Sequence, residues 1–174
     1  MKQRLTVLLT ALLVTACSTN VETRVSSSGI NSPKPDQYMI STFAEASPEL
    51  RNAYTLVARN MEQNGFALAK AAPLHLEITL DARDAALALG STDGPDALSP
   101  AKRKKPMQSC EDKEYRLGVT LTRVADGAEV YKSRAAEYHC KMPMAEALSV
   151  LVGAALADFG KPRGTYAVKR KAKD

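Results

Sequence analysis

Asp126-Gly127 stands between two runs in which apolar and polar residues alternate, and this arrangement constrains the fold more than any other feature of the sequence. Asp-Gly supplies the positive backbone angles of a tight hairpin turn, so the flanking runs read as two antiparallel strands. Tyr115, Leu117, Val119 and Leu121 form the inward face of the first, and the second runs from about 129 to 139. Upstream, Pro73 opens another strand, where Leu74, Leu76, Ile78 and Leu80 alternate with His75, Glu77, Thr79 and Asp81. A period of two with one apolar side means one buried face. Residues 82–89 read equally as strand or helix.

Two helices complete the pattern. Ser47-Pro48-Glu49 is a helix start, with a capping hydroxyl, proline in the first turn and an acid near the positive end of the dipole. Leu50, Tyr54, Val57, Ala58 and Met61 follow at helical spacing, and Asn64-Gly65 stops the helix. Residues 143–159 repeat that spacing at Met144, Leu148, Leu151, Val152, Ala155, Leu156 and Phe159. Tyr38 to Phe43 is a short β-rich run that supplies a first strand. The expected order is β-α-β-β-β-α. It describes an α+β domain with a sheet of about four strands, mainly antiparallel, and both helices on one face, because each element offers one apolar side.

The chain has 174 residues, 45% of them hydrophobic and 25% charged, which suits a single domain with a real core. These proportions exclude wholesale disorder, collagen and coiled coil. No apolar run approaches the roughly 20 residues needed to span a bilayer.

The first residues carry an address. Lys2 and Arg4 precede an apolar stretch from Leu5 to Val14, then the small residues Thr15 and Ala16, then Cys17. This is the layout of a secretory signal. Val14-Thr15-Ala16-Cys17 resembles the lipobox of bacterial lipoproteins, in which the cysteine sulfur accepts diacylglycerol and the leader is cut on its N-terminal side. The resemblance implies a signal peptide over 1–16 and a mature chain acylated at Cys17, palmitate included. Ser18 stands where an aspartate would retain the protein at the inner membrane, so the resemblance implies a cell outer membrane lipoprotein facing the periplasm. Loss of the leader removes Lys2 and Arg4 and no acid, lowering the formal net charge from +5 to +3. So small a balance in an envelope protein gives no reason to expect nucleic acid.

Residues 17–37 are rich in serine, threonine and asparagine and show no apolar period. They read as a lipidated cysteine and flexible tether, with an r.m.s. reach of roughly 25 Å. A single α+β periplasmic domain over 38–168 and a basic tail over 169–174 follow.

The succession of lipobox, tether, strand, helix ending Met61-Glu62-Gln63-Asn64-Gly65-Phe66, strand, hairpin and apolar helix resembles a known group. It is similar to small Gram-negative outer-membrane or periplasmic lipoproteins of a domain-of-unknown-function family. Their fold is similar to the N-terminal domain of the TolB envelope protein and to lipoproteins of curli and exopolysaccharide export. That family carries no agreed catalytic residues, so the resemblance transfers none.

The remaining candidate chemistry is sparse. With Cys17 committed to lipid, Cys110 and Cys140 form an even pair in an oxidising compartment. If the Asp126-Gly127 turn pairs Ala125 with Ala128, both fall near the open end of one hairpin, within a small slip of facing each other. A disulfide is expected. The rival is a zinc site joining Cys110, His139 and Cys140 to His75, but neighbours on a strand point to opposite faces, and no C-x-x-C or H-x-x-x-H spacing is present. Neither a metal nor another cofactor is expected, and no nucleophile, metalloprotease or phosphate-loop motif is present. The basic run Lys102, Arg103, Lys104 and Lys105 is either a solvated loop or a contact for lipid headgroups or an acidic envelope partner. The sequence therefore points to a lipid-anchored, non-enzymatic binding or scaffolding module whose partner is an envelope protein or polymer. A carrier of a small apolar ligand or lipid is the alternative, and a metal- or histidine-dependent envelope enzyme the third reading.

Overall fold

A computed structural model describes residues 20–31, 36–41, 46–87, 101–104 and 108–171. Its framework is one mixed sheet of seven strands with two helices. In chain order the elements are β1 (Asn20–Gly29), β2 (Gln37–Ile40), α1 (Pro48–Gln63), β3 (Ala67–Leu68), β4 (Leu74–Asp84), β5 (Lys113–Arg123), β6 (Glu129–His139), α2 (Met144–Leu156) and β7 (Gly164–Lys171). Across the sheet the order is β3-β2-β4-β5-β6-β1-β7. β2 runs parallel to β3 and β4, with α1 on the crossover, and the other pairings are antiparallel.

The expectation of a four-stranded sheet is thereby corrected. The additional strands come largely from segments that carry no apolar period. β1 occupies about half of the stretch read as a tether, and β7 extends through the start of the stretch read as a basic tail. Arg24 pairs with Ala136 on one side of β1, and Asn20 pairs with Lys171 on the other. The ambiguous continuation after Leu80 stays in β4 as far as Asp84.

The hairpin forms with a different register from the one expected. Ala125 does not pair with Ala128. Instead the Arg123 amide donates to the Ala128 carbonyl at 2.8 Å, leaving a four-residue loop, and Val124 donates to the Pro73 carbonyl at 2.9 Å. That bond ties the turn to the start of β4, and a bulge between Leu121 and Thr122 absorbs the offset.

The core forms where the alternating strands meet the helices. Leu74, Leu76, Leu117, Val119 and Leu121 face Ala53, Val57 and Met61 of α1 and Leu148, Leu151 and Ala155 of α2 in one contiguous cluster. The Ser47 hydroxyl caps α1 by accepting the Leu50 amide at 3.2 Å, and Gly65 ends it with a φ of 81°. Tyr131 donates to the Ala155 carbonyl at 2.6 Å, so its hydroxyl is satisfied inside the core, and burial pushes its pKa up to about 12. No helix among the described residues is long and apolar enough to cross a membrane.

Candidate functional site

The features with chemical content gather at one end of the sheet, where β1 and β5 begin and β4, β6 and β7 end. Pairing sets this rim. Asn20 faces Lys171, Lys113 faces both His139 and Asp84, and the Ala85 amide donates to the Asp112 carbonyl at 2.9 Å.

Cys110 and Cys140 are bonded here, with their Cα atoms 5.6 Å apart. Both lie just past the final β5–β6 pair, so the disulfide closes the open end of the hairpin. Cys17 lies outside the described residues.

The basic run is drawn to the same rim. The Lys102 amide donates to the Ala85 carbonyl at 2.7 Å, and its ammonium pairs with Asp112 at 2.9 Å. Lys102 also lies 5.0 Å from the centre of the Tyr138 ring. Arg103 and Lys104 follow, exposed, while Lys105 lies outside the described residues. An open depression of about 200 Å³ sits beside them, lined by Asp84, Leu87, Lys102, Lys104, Glu111 and Asp112. A second open depression, of about 640 Å³, lies against the far edge between α1 and β3 and includes Arg59, Glu62 and Phe66.

Two buried carboxylates sit near the rim, one on each face, and the sequence reading missed both. Glu137 lies on the helix side. It accepts hydrogen bonds from Thr23 at one oxygen and from Arg170 at both, and His139 Nε2 is 2.7 Å from the oxygen that Thr23 does not bond. Burial alone would push this carboxyl up, but the bonds from His139, Arg170 and Thr23 outweigh it and hold the pKa at about 2. Glu114 lies on the helix-free face and is wholly buried. Burial again works to raise its pKa, yet Arg83 and Arg24, which bond to its two oxygens, bring it below the usual carboxylate range. Arg24 in turn stacks 4.4 Å over the Tyr138 ring, which helps close that face. One signal was available. Glu137 shares the inward parity of Tyr131 and Ala135, a position that demands a partner for any charge.

The histidines do not converge. His75 is half-buried at the opposite end, on the helix-free face, with its Nε2 2.9 Å from the Ser41 hydroxyl. His139 is buried at the rim on the helix side, stacked on Tyr115 with ring centres 5.6 Å apart. With both thiols of Cys110 and Cys140 consumed in one bond, the zinc set weighed in the sequence is not assembled. Among the described residues no three His, Cys, Asp or Glu side chains form a group able to hold a metal ion.

No family model matches the chain, and no curated protein matches it significantly. Solved structures share its fold. A PDZ domain protein from Parabacteroides distasonis aligns at 13% identity with a TM-score of 0.58, over 87% of this chain and 39% of that one. The chain thus spans well under two thirds of that protein. The PelC dodecamer from Paraburkholderia phytofirmans aligns at 12% identity with a TM-score of 0.51, over 81% of this chain and 99% of that one. At such identities the likeness concerns architecture alone.

Proposed function

We propose that this chain is a lipid-anchored lipoprotein of the bacterial cell envelope, cut after Ala16, acylated at Cys17, and held at the outer membrane facing the periplasm. Its work is non-enzymatic binding or scaffolding of another envelope component. The observation that supports this reading is the Cys110–Cys140 disulfide. Such bonds persist in oxidising compartments, which fits export. With two of the three cysteines joined, the one left over is the residue that directly follows the apolar leader and two small residues. The filled space between helices and sheet favours this reading over carriage of an apolar ligand. Leu117, Leu121, Leu148 and Leu151 occupy it with no exposure, where a carrier needs an empty apolar cavity.

Mass spectrometry of the mature protein from its native envelope tests the anchor. An N-terminal Cys17 carrying acyl groups is expected, and an unmodified terminus or an intact leader overturns the reading. Cys17→Ala should move the protein out of the membrane fraction. Crosslinking in intact cells then tests the binding role, with a captured envelope component expected. Turnover of a substrate by the purified protein would overturn the non-enzymatic part.

A further inference from the structure

We propose that the rim of the sheet carrying Asn20, Lys113 and Lys171 docks on the anionic headgroups of the leaflet that holds the lipid, so that the strands stand on the membrane. The proposal rests on the reading of Cys17 as the acylated residue.

The first argument is reach. Regular pairing of β1 begins at Asn20, three residues after Cys17. Three residues span at most roughly 10 Å of extended chain. The headgroup layer on one side of a bilayer is itself roughly 5–8 Å deep. A domain whose first strand starts so close to its acylated residue has no leash on which to float, and the end of the sheet that enters the headgroup zone is the one where β1 begins.

The second argument is what that end displays. Arg103, Lys104, Lys113, Lys141, Lys169 and Lys171 are exposed on the strand ends and the flanking segments. The exposed acids there are Glu22, Asp84 and Glu111, and Glu22 lies 4.0 Å from Lys169. The other rim carboxylates present no free charge outward. Asp112 is paired with Lys102, while Glu114 and Glu137 are buried beneath arginines. Neutralising the acids internally leaves the outer surface of the rim cationic. Leu87, 58% exposed, lies in the same place and gives an apolar contact of the kind that enters a headgroup layer. The disulfide holds the segments that carry Lys141 and Lys113 together, so this surface is presented as a unit.

Amine acetylation of the mature lipoprotein in nanodiscs tests the proposal, comparing phosphatidylethanolamine–phosphatidylglycerol discs with phosphatidylcholine discs. Lys132 and Lys161, at the opposite end, are internal controls. Lys104, Lys113, Lys169 and Lys171 should react roughly five-fold more slowly in the anionic discs, the scale set by one near-surface charge, and the controls should not change. Equal rates for the rim lysines in the two disc types overturn docking. A protein that carries no acyl group and fails to load overturns the anchor alone. Its rim is then judged by sedimentation with phosphatidylglycerol vesicles at low salt. Pelleting that Lys113→Glu with Lys171→Glu abolishes supports the rim as a headgroup surface, and no pelleting overturns it.

Discussion

Arg170, one residue from the end of β7, reaches over β1 and holds Glu137 of β6 through both carboxylate oxygens, at 2.8 and 3.2 Å. Thr23 of β1 donates to the same carboxylate, so one buried charge joins three strands. Arg24 makes the matching tie on the other face, crossing β6 to Glu114 of β5. Few apolar side chains attach β1 and β7 to the sheet, and these two carboxylates supply much of what sets their register.

Acid should loosen this end of the molecule first. Glu137 has a folded pKa of about 2 against an ordinary value of 4.5. A carboxyl depressed in the folded state contributes stability that is fully present above about pH 4.5 and is lost as pH falls toward 2. The whole effect is about 3 kcal/mol at 1.36 kcal/mol per unit. Urea unfolding from pH 6 to pH 2 should show that decline. Glu137→Gln should cost about 3 kcal/mol at neutral pH, because Arg170 loses its buried partner, and should flatten much of the slope below pH 4.5. An unchanged slope in that variant would place the acid sensitivity elsewhere.

Val25 distinguishes a strand from a tether. It is 2% exposed, in the middle of β1, with Ala135 paired beside it in β6. Val25→Asp buries an unpaired charge and should destabilise the domain by more than about 3 kcal/mol, measured by thermal or urea unfolding. Ser28→Asp, on an exposed position of the same strand, should change stability by less than about 0.5 kcal/mol. Were residues 20–29 merely a spacer, both substitutions would be silent.

The contrast between Val25 and Leu117 explains what could be read from the sequence. β4 and β5 were legible because their inward positions are large and apolar, and α1 because Ser47, Pro48 and Gly65 punctuate it. The fully buried positions of β1 are Thr23, Val25 and Ser27, only one of them aliphatic. Its polar members are satisfied by Glu137 and Asp158, more than 100 residues away in the chain. No local pattern announces such a strand. β7 is similar, an edge strand whose basic residues hide its pairing. Of the site, the disulfide was legible from cysteine count and placement, whereas the rim was not, because it depends on β1 starting at Asn20.

Gly29 closes β1 with a φ of 137°, and a Cβ there would lie 2.5 Å from the Val130 carbonyl oxygen and 2.8 Å from Tyr131 Cα. Both neighbours are backbone and cannot rotate aside. Gly29→Ala should cost about 2–3 kcal/mol through this collision and the strained angle. Gly127 also has a positive φ, 71°, but open space beyond it, and asparagine tolerates that region. Gly127→Asn should lie within about 1 kcal/mol of the parent by urea unfolding. Equal losses at the two positions would mean that backbone angle, not the approach of β6, sets the cost.

The disulfide closes a loop with a sequence separation of 30 residues, which constrains the unfolded chain by about 3–4 kcal/mol on a chain-entropy estimate. Cys110→Ser with Cys140→Ser should lower stability by that amount, and adding reductant to the parent should reproduce the loss. Thiol titration under denaturing, non-reducing conditions adds a second readout. Acylation of Cys17 would leave no free thiol, whereas an unmodified Cys17 would leave one, because the other two cysteines are bonded. A stability unaffected by reductant would show that the rim is held by Glu114, Glu137 and their arginines without help from the covalent bond.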